Sequence, residues 1–166
     1  TLWIADRQQG LLRLENNQTE QFLPNGPATD NIHQLSYLNE TVIALKQDAP
    51  GAYYQFHEGR WQNYTDLPIT SRFTDATFSE VTQQYYFSSL GEGVLQWDGA
   101  ESFSVLNQLS SGSTLENDQV TALADSENRL WLANYNALSS LHTIDLSDDT
   151  WQKVSFNRVQ TRYPRQ

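Results

Sequence analysis

Three histidines and one group of carboxylates are the residues of this sequence whose chemistry suits a metal site. The chain of 166 residues has no cysteine, so a site would need imidazole and carboxylate ligands. His33, His57 and His142 are far apart in the sequence, and they could meet only at an axis shared by three separate segments. We therefore predict that the chain holds no metal ion and no cofactor.

The carboxylates of Asp145, Asp148 and Asp149 could bind calcium, whose ligands in proteins are oxygen atoms. They lie, however, in a predicted turn between strands, where short acidic side chains bond to their own backbone. Residues 125–128 (DSEN) partly resemble a calcium loop but lack its glycine and its distant glutamate. Turn formation is thus the favoured interpretation of both segments.

No segment carries the pattern of a catalytic nucleophile. The serines of residues 88–91 (SSLG) and 110–113 (SSGS) lack a Gly-x-Ser-x-Gly context. Residues 91–93 (GEG) are too short for a phosphate-binding loop. We predict that the chain is not an enzyme, and we name no catalytic or ligand-binding residue from the sequence.

The charge balance limits the partners. Twenty acidic against ten basic residues give a net charge of -10, which repels nucleic acid and anionic lipid surfaces. Lys153, Arg158, Arg162 and Arg165 lie near the C-terminus, where spaced basic residues predict a solvated or partner-facing tail. No run of about 18 apolar residues is present. We expect no nucleic-acid partner and no transmembrane segment.

The best-preserved structural pattern is residues 120–141. Val120, Ala122 and Ala124 alternate with Thr121, Leu123 and Asp125. This period of two predicts a strand with one face inward. Residues 125–128 predict a turn, and residues 130–133 (LWLA) predict a partner strand that is apolar on both faces. The segment is therefore a hairpin that needs further sheets against it.

Weaker copies of this hairpin occur along the whole chain. Taking Trp3, Val42, Tyr86 and Trp131 as equivalent, the copies are 39, 44 and 45 residues apart, close to one four-stranded propeller blade. A small residue precedes the next apolar strand in each copy, namely Gly10, Gly51, Gly93 and Ala137. A polar turn and an aromatic strand follow, marked by Phe22, Trp61, Phe103 and Trp151.

The repeats predict an all-β chain, a β-propeller with four-stranded antiparallel blades. About four blades are expected in one partial propeller domain, at residues 1–30, 31–74, 75–118 and 119–166, with about 15 strands. The first blade lacks its innermost strand. We expect the domain to belong to a larger propeller, and self-association through the open blade edges is the further partner that such an arc allows.

The tryptophans divide into two groups. Trp3 and Trp131 occupy equivalent strand positions, so we expect them to pack between blades. Trp61, Trp97 and Trp151 fall in or near outer strands together with Tyr53, Tyr54 and Tyr64. These six side chains could form an exposed aromatic patch for a partner or a carbohydrate.

Residues 125–133 and 2–12 resemble the two-component-regulator type of propeller repeat, with an acidic turn followed by Leu-Trp-Leu-Ala or Leu-Trp-Ile-Ala. Residues 23–28 (LPNGPA), 59–64 (GRWQNY) and 87–95 (FSSLGEGVL) are, in this order, similar to the second propeller of PorZ-like components of the type IX secretion system. In the second repeat the corresponding strand, residues 42–45 (VIAL), has no tryptophan, and in the fourth repeat Ala137 replaces a usual glycine.

This resemblance implies a non-catalytic scaffold that docks partner proteins of the secretion complex, or lipopolysaccharide, during cargo attachment. It implies an exported protein, in the periplasm or on the outer surface of a Gram-negative bacterium of the Bacteroidota. The alternative is the periplasmic propeller of a hybrid two-component regulator that binds an oligosaccharide. A third hypothesis, an enzyme, would require acidic residues and histidines gathered on a central axis.

Overall fold

The computed structural model describes residues 2–6, 10–16, 18–22, 31–47, 49–65, 67–135, 137 and 141–154, with no side chains described at 3, 5, 6, 10–13 and 20–22. These residues form strands and turns. The strands are β1 (Leu2–Asp6), β2 (Gly10–Glu15), β3 (Gln18–Phe22), β4 (Ile32–Leu38), β5 (Thr41–Lys46), β6 (Tyr53–His57), β7 (Arg60–Tyr64), β8 (Phe73–Ser79), β9 (Gln84–Ser89), β10 (Val94–Trp97), β11 (Phe103–Leu106), β12 (Val120–Ser126), β13 (Arg129–Asn134), β14 (Leu141–Asp145) and β15 (Thr150–Lys153).

The strands pair in chain order into four antiparallel sheets. The first sheet has three strands, β1-β2-β3, and the others have four each, β4 to β7, β8 to β11 and β12 to β15. The prediction of an all-β chain with four-stranded antiparallel blades is confirmed, and in the described residues the first sheet has three strands. The repeat boundaries themselves stay a prediction, and residues 23–30 and 155–166 lie outside the described residues.

Two-residue turns close several of the hairpins. Asn39 and Glu40 join β4 to β5 with φ of 44° and 60°, and Glu127 and Asn128 join β12 to β13 with φ of 54° and 62°. Two successive positive φ angles are the geometry that matches the right-handed twist of the flanking strands. The predicted turn at 125–128 is therefore shorter than expected, since β12 continues through Ser126.

Each innermost strand of the four-stranded sheets contains a β-bulge near its start. The register shifts between Ile32 and Gln34 in β4, between Phe73 and Asp75 in β8, and between Val120 and Ala122 in β12. An extra residue in one strand reverses which side chains face each side beyond it.

The bulge in β12 corrects the prediction made from its alternating pattern. Val120 is buried, but Ala122 and Ala124 are exposed, whereas Leu123 packs against the core. The alternating pattern implies one phase along the whole strand, and the bulge changes that phase after Val120.

The register also corrects one member of the repeat. Ile43, Tyr86 and Trp131 each lie two residues after the first residue of the second strand, which is Thr41, Gln84 or Arg129. The residue of the second repeat equivalent to Tyr86 and Trp131 is therefore Ile43 and not Val42. The run Val-Ile-Ala-Leu has no aromatic residue to mark its phase. The innermost strand of the third sheet begins at Phe73.

Two apolar clusters hold the four-stranded sheets face to face. The first joins the second and third sheets through residues such as Ile43, Tyr53 and Phe87. The second joins the third and fourth sheets through Tyr86, Leu130 and other buried side chains. Fully burying such side chains stabilises a fold by about 1.5 to 3 kcal/mol each. The contacts between neighbouring sheets are therefore a main source of the stability of the fold.

None of the six aromatic residues considered for an exposed patch is exposed in the structure. Tyr53, Tyr54 and Trp97 are buried, and Tyr64 stacks on Tyr53 with ring centroids 4.9 Å apart. The structure therefore does not support the possible exposed patch, since Tyr53, Tyr64 and Trp97 pack in the cluster between the second and third sheets. Trp61 is half-buried.

The remaining tryptophans differ in environment. Trp151 is half-buried and packs against the second cluster. Trp131 is also half-buried, but it alternates with Leu130 and Leu132, which face the third sheet. Trp131 thus lies on the opposite face of the fourth sheet, and the side chain of Trp3 lies outside the described residues.

Asp75 links three sheets by hydrogen bonds at the bulge. Its Oδ1 accepts from Gln34 Nε2 of the second sheet at 3.1 Å, and its Oδ2 accepts from the backbone N–H of Leu123 in the fourth at 2.9 Å. Thr74 Oγ1 donates to the carbonyl of Val120 at 2.7 Å. These bonds fix the inner strands relative to one another.

Candidate functional site

The three histidines do not meet. His33 and His57 lie on β4 and β6 of the second sheet, two strands separated by β5, and His142 lies on β14 of the fourth sheet. His33 and His57 are exposed, whereas His142 is fully buried. Within the described residues, no three histidine or carboxylate side chains are grouped so that they could hold a metal ion.

His142 packs beside the crossing segment between β11 and β12. Burial lowers the pKa of its imidazole, and the nearby Glu116 carboxylate opposes that effect only in part. Among the described residues, neither ring nitrogen has a hydrogen-bond partner at normal geometry. A buried imidazole without partners is a neutral core side chain.

The carboxylates near β14 form a turn, as the sequence predicts. Asp145 Oδ1 accepts from the hydroxyl and the backbone N–H of Ser147 at 2.6 and 3.0 Å. Asp148 Oδ1 accepts from the N–H of Thr150 at 3.0 Å. The bonds from Ser147, together with the charge of Arg129, hold the pKa of Asp145 below its usual range.

The serines considered as nucleophiles have structural partners. Ser88 Oγ lies 2.7 Å from Thr74 Oγ1, and Ser89 Oγ donates to the carbonyl of Gly93 at 3.0 Å. Ser110 and Ser111 bond within their own loop. Their hydroxyls hold loops and strands in place.

A polar cleft lies at one end of the third sheet. In an antiparallel sheet followed in chain order, the loop between the second and third strands and the crossings to neighbouring sheets meet at the same end. The cleft has a volume of about 270 Å³ and is lined by Pro68, Ile69, Gly91, Glu92, Val105, Asn107 and Asp118. We call this end of the sheets the crossing end.

Glu92 fixes one wall of the cleft. Its carboxylate accepts from the backbone N–H and the hydroxyl of Thr70 at 2.7 and 2.8 Å and from the N–H of Ser71 at 3.0 Å. Burial alone would raise the pKa of Glu92, but these bonds outweigh it and lower the pKa. An ionised Glu92 therefore holds the crossing between β7 and β8 against the loop between β9 and β10.

Asp118 fixes the opposite wall. Its Oδ1 accepts from the N–H of Gln108 at 2.6 Å, and its carbonyl accepts from the N–H of Gly93 at 2.9 Å. Asn107 uses its Oδ1 to accept from Ser110 N–H at 2.9 Å. Among the described residues, Asp118 Oδ2 and Asn107 Nδ2 have no partner, so both remain available to a ligand.

Gly91 lines the cleft next to Glu92. Its φ is 153°, and a Cβ at this position would lie 3.1 Å from Ser71 Oγ. A larger residue would therefore crowd the crossing between β7 and β8 that Glu92 holds.

A second, smaller cleft of about 160 Å³ lies on the third sheet near the opposite end. Ser104 Oγ donates to Gln96 Oε1 at 3.0 Å, and Gln96 Nε2 in turn donates to Gln84 Oε1. Amide and hydroxyl groups thus form an uncharged row across three strands.

The sequence did not identify either cleft. Residues 91–93 (GEG) invite comparison only with a phosphate-binding loop, for which they are too short. The signal that could have been used is the glutamate between the two glycines. Its carboxylate can accept hydrogen bonds from a neighbouring crossing segment.

Solved structures share this arrangement of sheets. The chain superposes on PorZ, a bacterial surface component of the type IX secretion system of Porphyromonas gingivalis, with a TM-score of 0.65 and 15% identity over 90% of this chain. The chain has a β-propeller fold. PorZ is matched over 23% of its own length.

Two extracellular domains from B. thetaiotaomicron are similar as well. The extracellular domain of the proposed hybrid two-component system BT3049 matches with a TM-score of 0.57 and 14% identity, over 92% of this chain and 24% of that one. The corresponding domain of BT4673 matches with a TM-score of 0.58 and 13% identity, over the same shares. The propeller thus spans about a quarter of each of these chains.

No family model matches the propeller, and neither does any curated protein. In the described part of the chain, no helix is long and apolar enough to cross a membrane.

Proposed function

We propose that this propeller is a non-catalytic binding scaffold of a PorZ-like cell-surface component of the type IX secretion system. In that role it docks partner proteins or lipopolysaccharide during cargo attachment. The observation that carries the proposal is the superposition on PorZ, whose TM-score of 0.65 exceeds the 0.57 and 0.58 of the two sensor domains. The ordered sequence similarity to PorZ-like second propellers supports the same choice.

A binding role without catalysis fits the polar side chains, because those considered as catalytic candidates are hydrogen-bonded within the protein. The carboxylates of Glu92 and Asp75 hold loops and strands together, and the hydroxyls of Ser88 and Ser89 are hydrogen-bonded within the sheet. A rigid scaffold that presents loops at its ends is a general platform for recognition. We place the protein outside the cytoplasm, in the periplasm or on the outer cell surface, as the extracellular neighbours support.

The alternative function is ligand sensing by a hybrid two-component regulator. The likeness to the BT3049 and BT4673 domains favours it, and so does the row of Gln84, Gln96 and Ser104. Uncharged amide and hydroxyl groups in a shallow cleft suit the hydroxyl groups of an oligosaccharide.

Binding assays on the full-length protein separate the two functions. The protein is immobilised and exposed to an outer-membrane extract of its host and, separately, to purified lipopolysaccharide, with retained proteins identified by mass spectrometry. Retention of secretion-system components or of lipopolysaccharide is expected. If both fail repeatedly while neutral oligosaccharides bind, the scaffold proposal is wrong and the sensor function replaces it.

A further inference from the structure

The crossing end carries two large apolar side chains that the fold leaves in solvent. Leu109, in the crossing between β11 and β12, is 88% exposed, and Tyr135, which follows β13, is 55% exposed. Tyr135 is tied to the same crossing, because its N–H donates to the carbonyl of Gln119 at 2.8 Å and its carbonyl accepts from Asn117 Nδ2 at 2.8 Å.

The segment that carries Leu109 is firmly held. Asn107 N–H donates to Ser110 Oγ at 2.7 Å, and Ser113 N–H donates to the carbonyl of Gln108 at 2.8 Å. Leu115, at the end of this segment, is fully buried in the second apolar cluster. The exposed position of Leu109 is therefore maintained by the surrounding structure, which lowers the conformational entropy lost when a partner binds.

The cleft lies beside this segment, since Asn107 and Asp118 line it and Gln108 bonds to Asp118. Its apolar lining comes from Pro68, Ile69 and Val105. Such walls suit the methylene groups of a long side chain, whose polar end could then reach the unpaired Asp118 Oδ2.

The negative charge of the cleft favours a positively charged group as its occupant. Glu92 and Asp118 contribute two carboxylates, and neither forms an ion pair within the described part of the chain. The whole chain carries a net charge of -10, which attracts cationic partners and repels anionic ones.

We propose that the crossing end docks a partner protein that inserts a lysine or arginine side chain into this cleft and covers Leu109 with an apolar residue. The inference rests on the proposed binding function and narrows it to a protein partner at this surface. Phosphate groups of a glycolipid are repelled here and would have to bind elsewhere on the protein.

The first test uses small probes on the 15N-labelled chain, followed by two-dimensional amide NMR at low ionic strength. N-acetyl-arginine amide and N-acetyl-lysine amide are titrated against neutral N-acetyl-glutamine amide and against inorganic phosphate. The cationic probes should shift the amide signals of Gly91, Gln108 and Asp118, and about 0.5 M salt should reduce the shifts. Equal shifts from the glutamine probe, or binding of phosphate at these residues, would overturn the proposal.

Asp118→Asn tests the carboxylate, because the amide retains an oxygen for the Gln108 N–H while losing the charge. Affinity for the arginine probe should fall at least about fivefold, as loss of one charged partner implies. Asp98→Asn is the matched control, since Asp98 also caps an exposed turn through Ala100 and Ser102 N–H groups but lies at the opposite end. An unchanged affinity in Asp118→Asn contradicts the proposal.

Leu109→Ser tests the apolar contact without disturbing the core. The peptide Ac-Leu-Ala-Arg-Ala-Leu-NH2 should bind several-fold tighter than the arginine probe to the parent chain, and Leu109→Ser should remove that gain. If neither cationic probe binds while the full-length protein still retains a secretion component or lipopolysaccharide, this inference fails and the proposed scaffold function stands.

Discussion

His142 places a titratable ring in the packed layer between the third and fourth sheets. It pairs across the strands with Leu132 and Lys153, and it is fully buried. Because burial lowers its pKa, the folded state binds the proton less readily than the unfolded chain, whose imidazole titrates near about 6.5. The stability that this neutral ring contributes is present above about pH 6.5 and is lost as the pH falls below it.

We expect His142→Leu to make the protein less sensitive to acid. The free energy of unfolding should fall less between about pH 7.5 and pH 5.5 in the variant than in the parent, as measured by urea denaturation at each pH. His57→Leu is the control, since His57 is exposed. An identical pH dependence in parent and His142→Leu would show that His142 does not contribute to the acid response.

Glu92 is expected to stabilise the crossing end through its charge. Glu92→Ala removes the acceptor of three hydrogen bonds and should lower the free energy of unfolding by about 1 kcal/mol, a value reduced for its partial exposure. Since its folded pKa is lowered, its contribution is present above about pH 4.5 and is lost on acidification. Equilibrium denaturation at about pH 7 and about pH 3.5 measures both effects.

The exposed Glu101 supplies the comparison. Glu101→Ala should change the stability by less than about 0.5 kcal/mol at either pH. If Glu92→Ala lowers the free energy of unfolding at neutral pH no more than Glu101→Ala does, the Glu92 carboxylate does not stabilise the crossing end.

At the residue scale, the sequence predicted which carboxylates form turns, but it did not predict which residues line the cleft. Asp145 and Asp148 accept hydrogen bonds from residues two positions further along the chain. The local sequence is therefore sufficient to predict these turns. Glu92 bonds to Thr70 and Ser71, and Asp118 lines the same cleft as Gly91, only because the loop between β9 and β10 meets two crossings at one end. Such partners depend on tertiary pairing, which one sequence without its relatives does not display.

At the scale of strands and sheets, the repeat of hydrophobic strands and turns was sufficient to predict all-β sheets of four strands. The repeat was not sufficient to predict which side chains of a single strand face the core, as Ile43 and Ala122 show. A bulge adds one residue without changing composition, so a pattern with period two cannot locate it.

Gly93 offers a test of how closely adjacent strands approach. Its φ is 82°, and a Cβ would lie 2.2 Å from the carbonyl oxygen of Leu106. Gly93→Ala should therefore lower the free energy of unfolding by about 2 kcal/mol or more, because backbone strain and a backbone clash add. Thermal or urea denaturation of the purified variant measures the loss.

Gly59→Ala is the matched substitution. Gly59 has a similar φ of 78°, but a Cβ at this position would have no atom within 4 Å, so only the cost of the left-handed conformation, about 1 kcal/mol, is expected. Equal losses in both variants would mean that the close approach at Gly93 does not matter for stability.

On the scale of the whole molecule, the faces of the sheets differ in how well they are covered. The second, third and fourth sheets bury their facing residues in two clusters. On β4, by contrast, Leu35 is 64% exposed and Tyr37 is 73% exposed. Their side chains alternate with those of Gln34 and Ser36, which are half-buried, so one face of this strand is apolar and open.

The first sheet differs from the other three in the pairing of its first strand. In the described residues, β1 pairs only with β2, whereas the corresponding second strands β5, β9 and β13 each pair on both sides. An unpaired strand edge together with exposed apolar side chains favours association between chains.

We therefore expect the 19.0 kDa chain to self-associate in solution, with a mass by light scattering that rises with protein concentration. The double variant Leu35→Lys and Tyr37→Lys should shift the population towards the monomer, because charges on this face oppose burial, and should keep a cooperative melt. Leu109→Lys, at an exposed site on the crossing end, is the control and should leave the mass unchanged. A monomer at all concentrations would mean that these exposed side chains do not drive association, and binding studies could then use the chain without further changes.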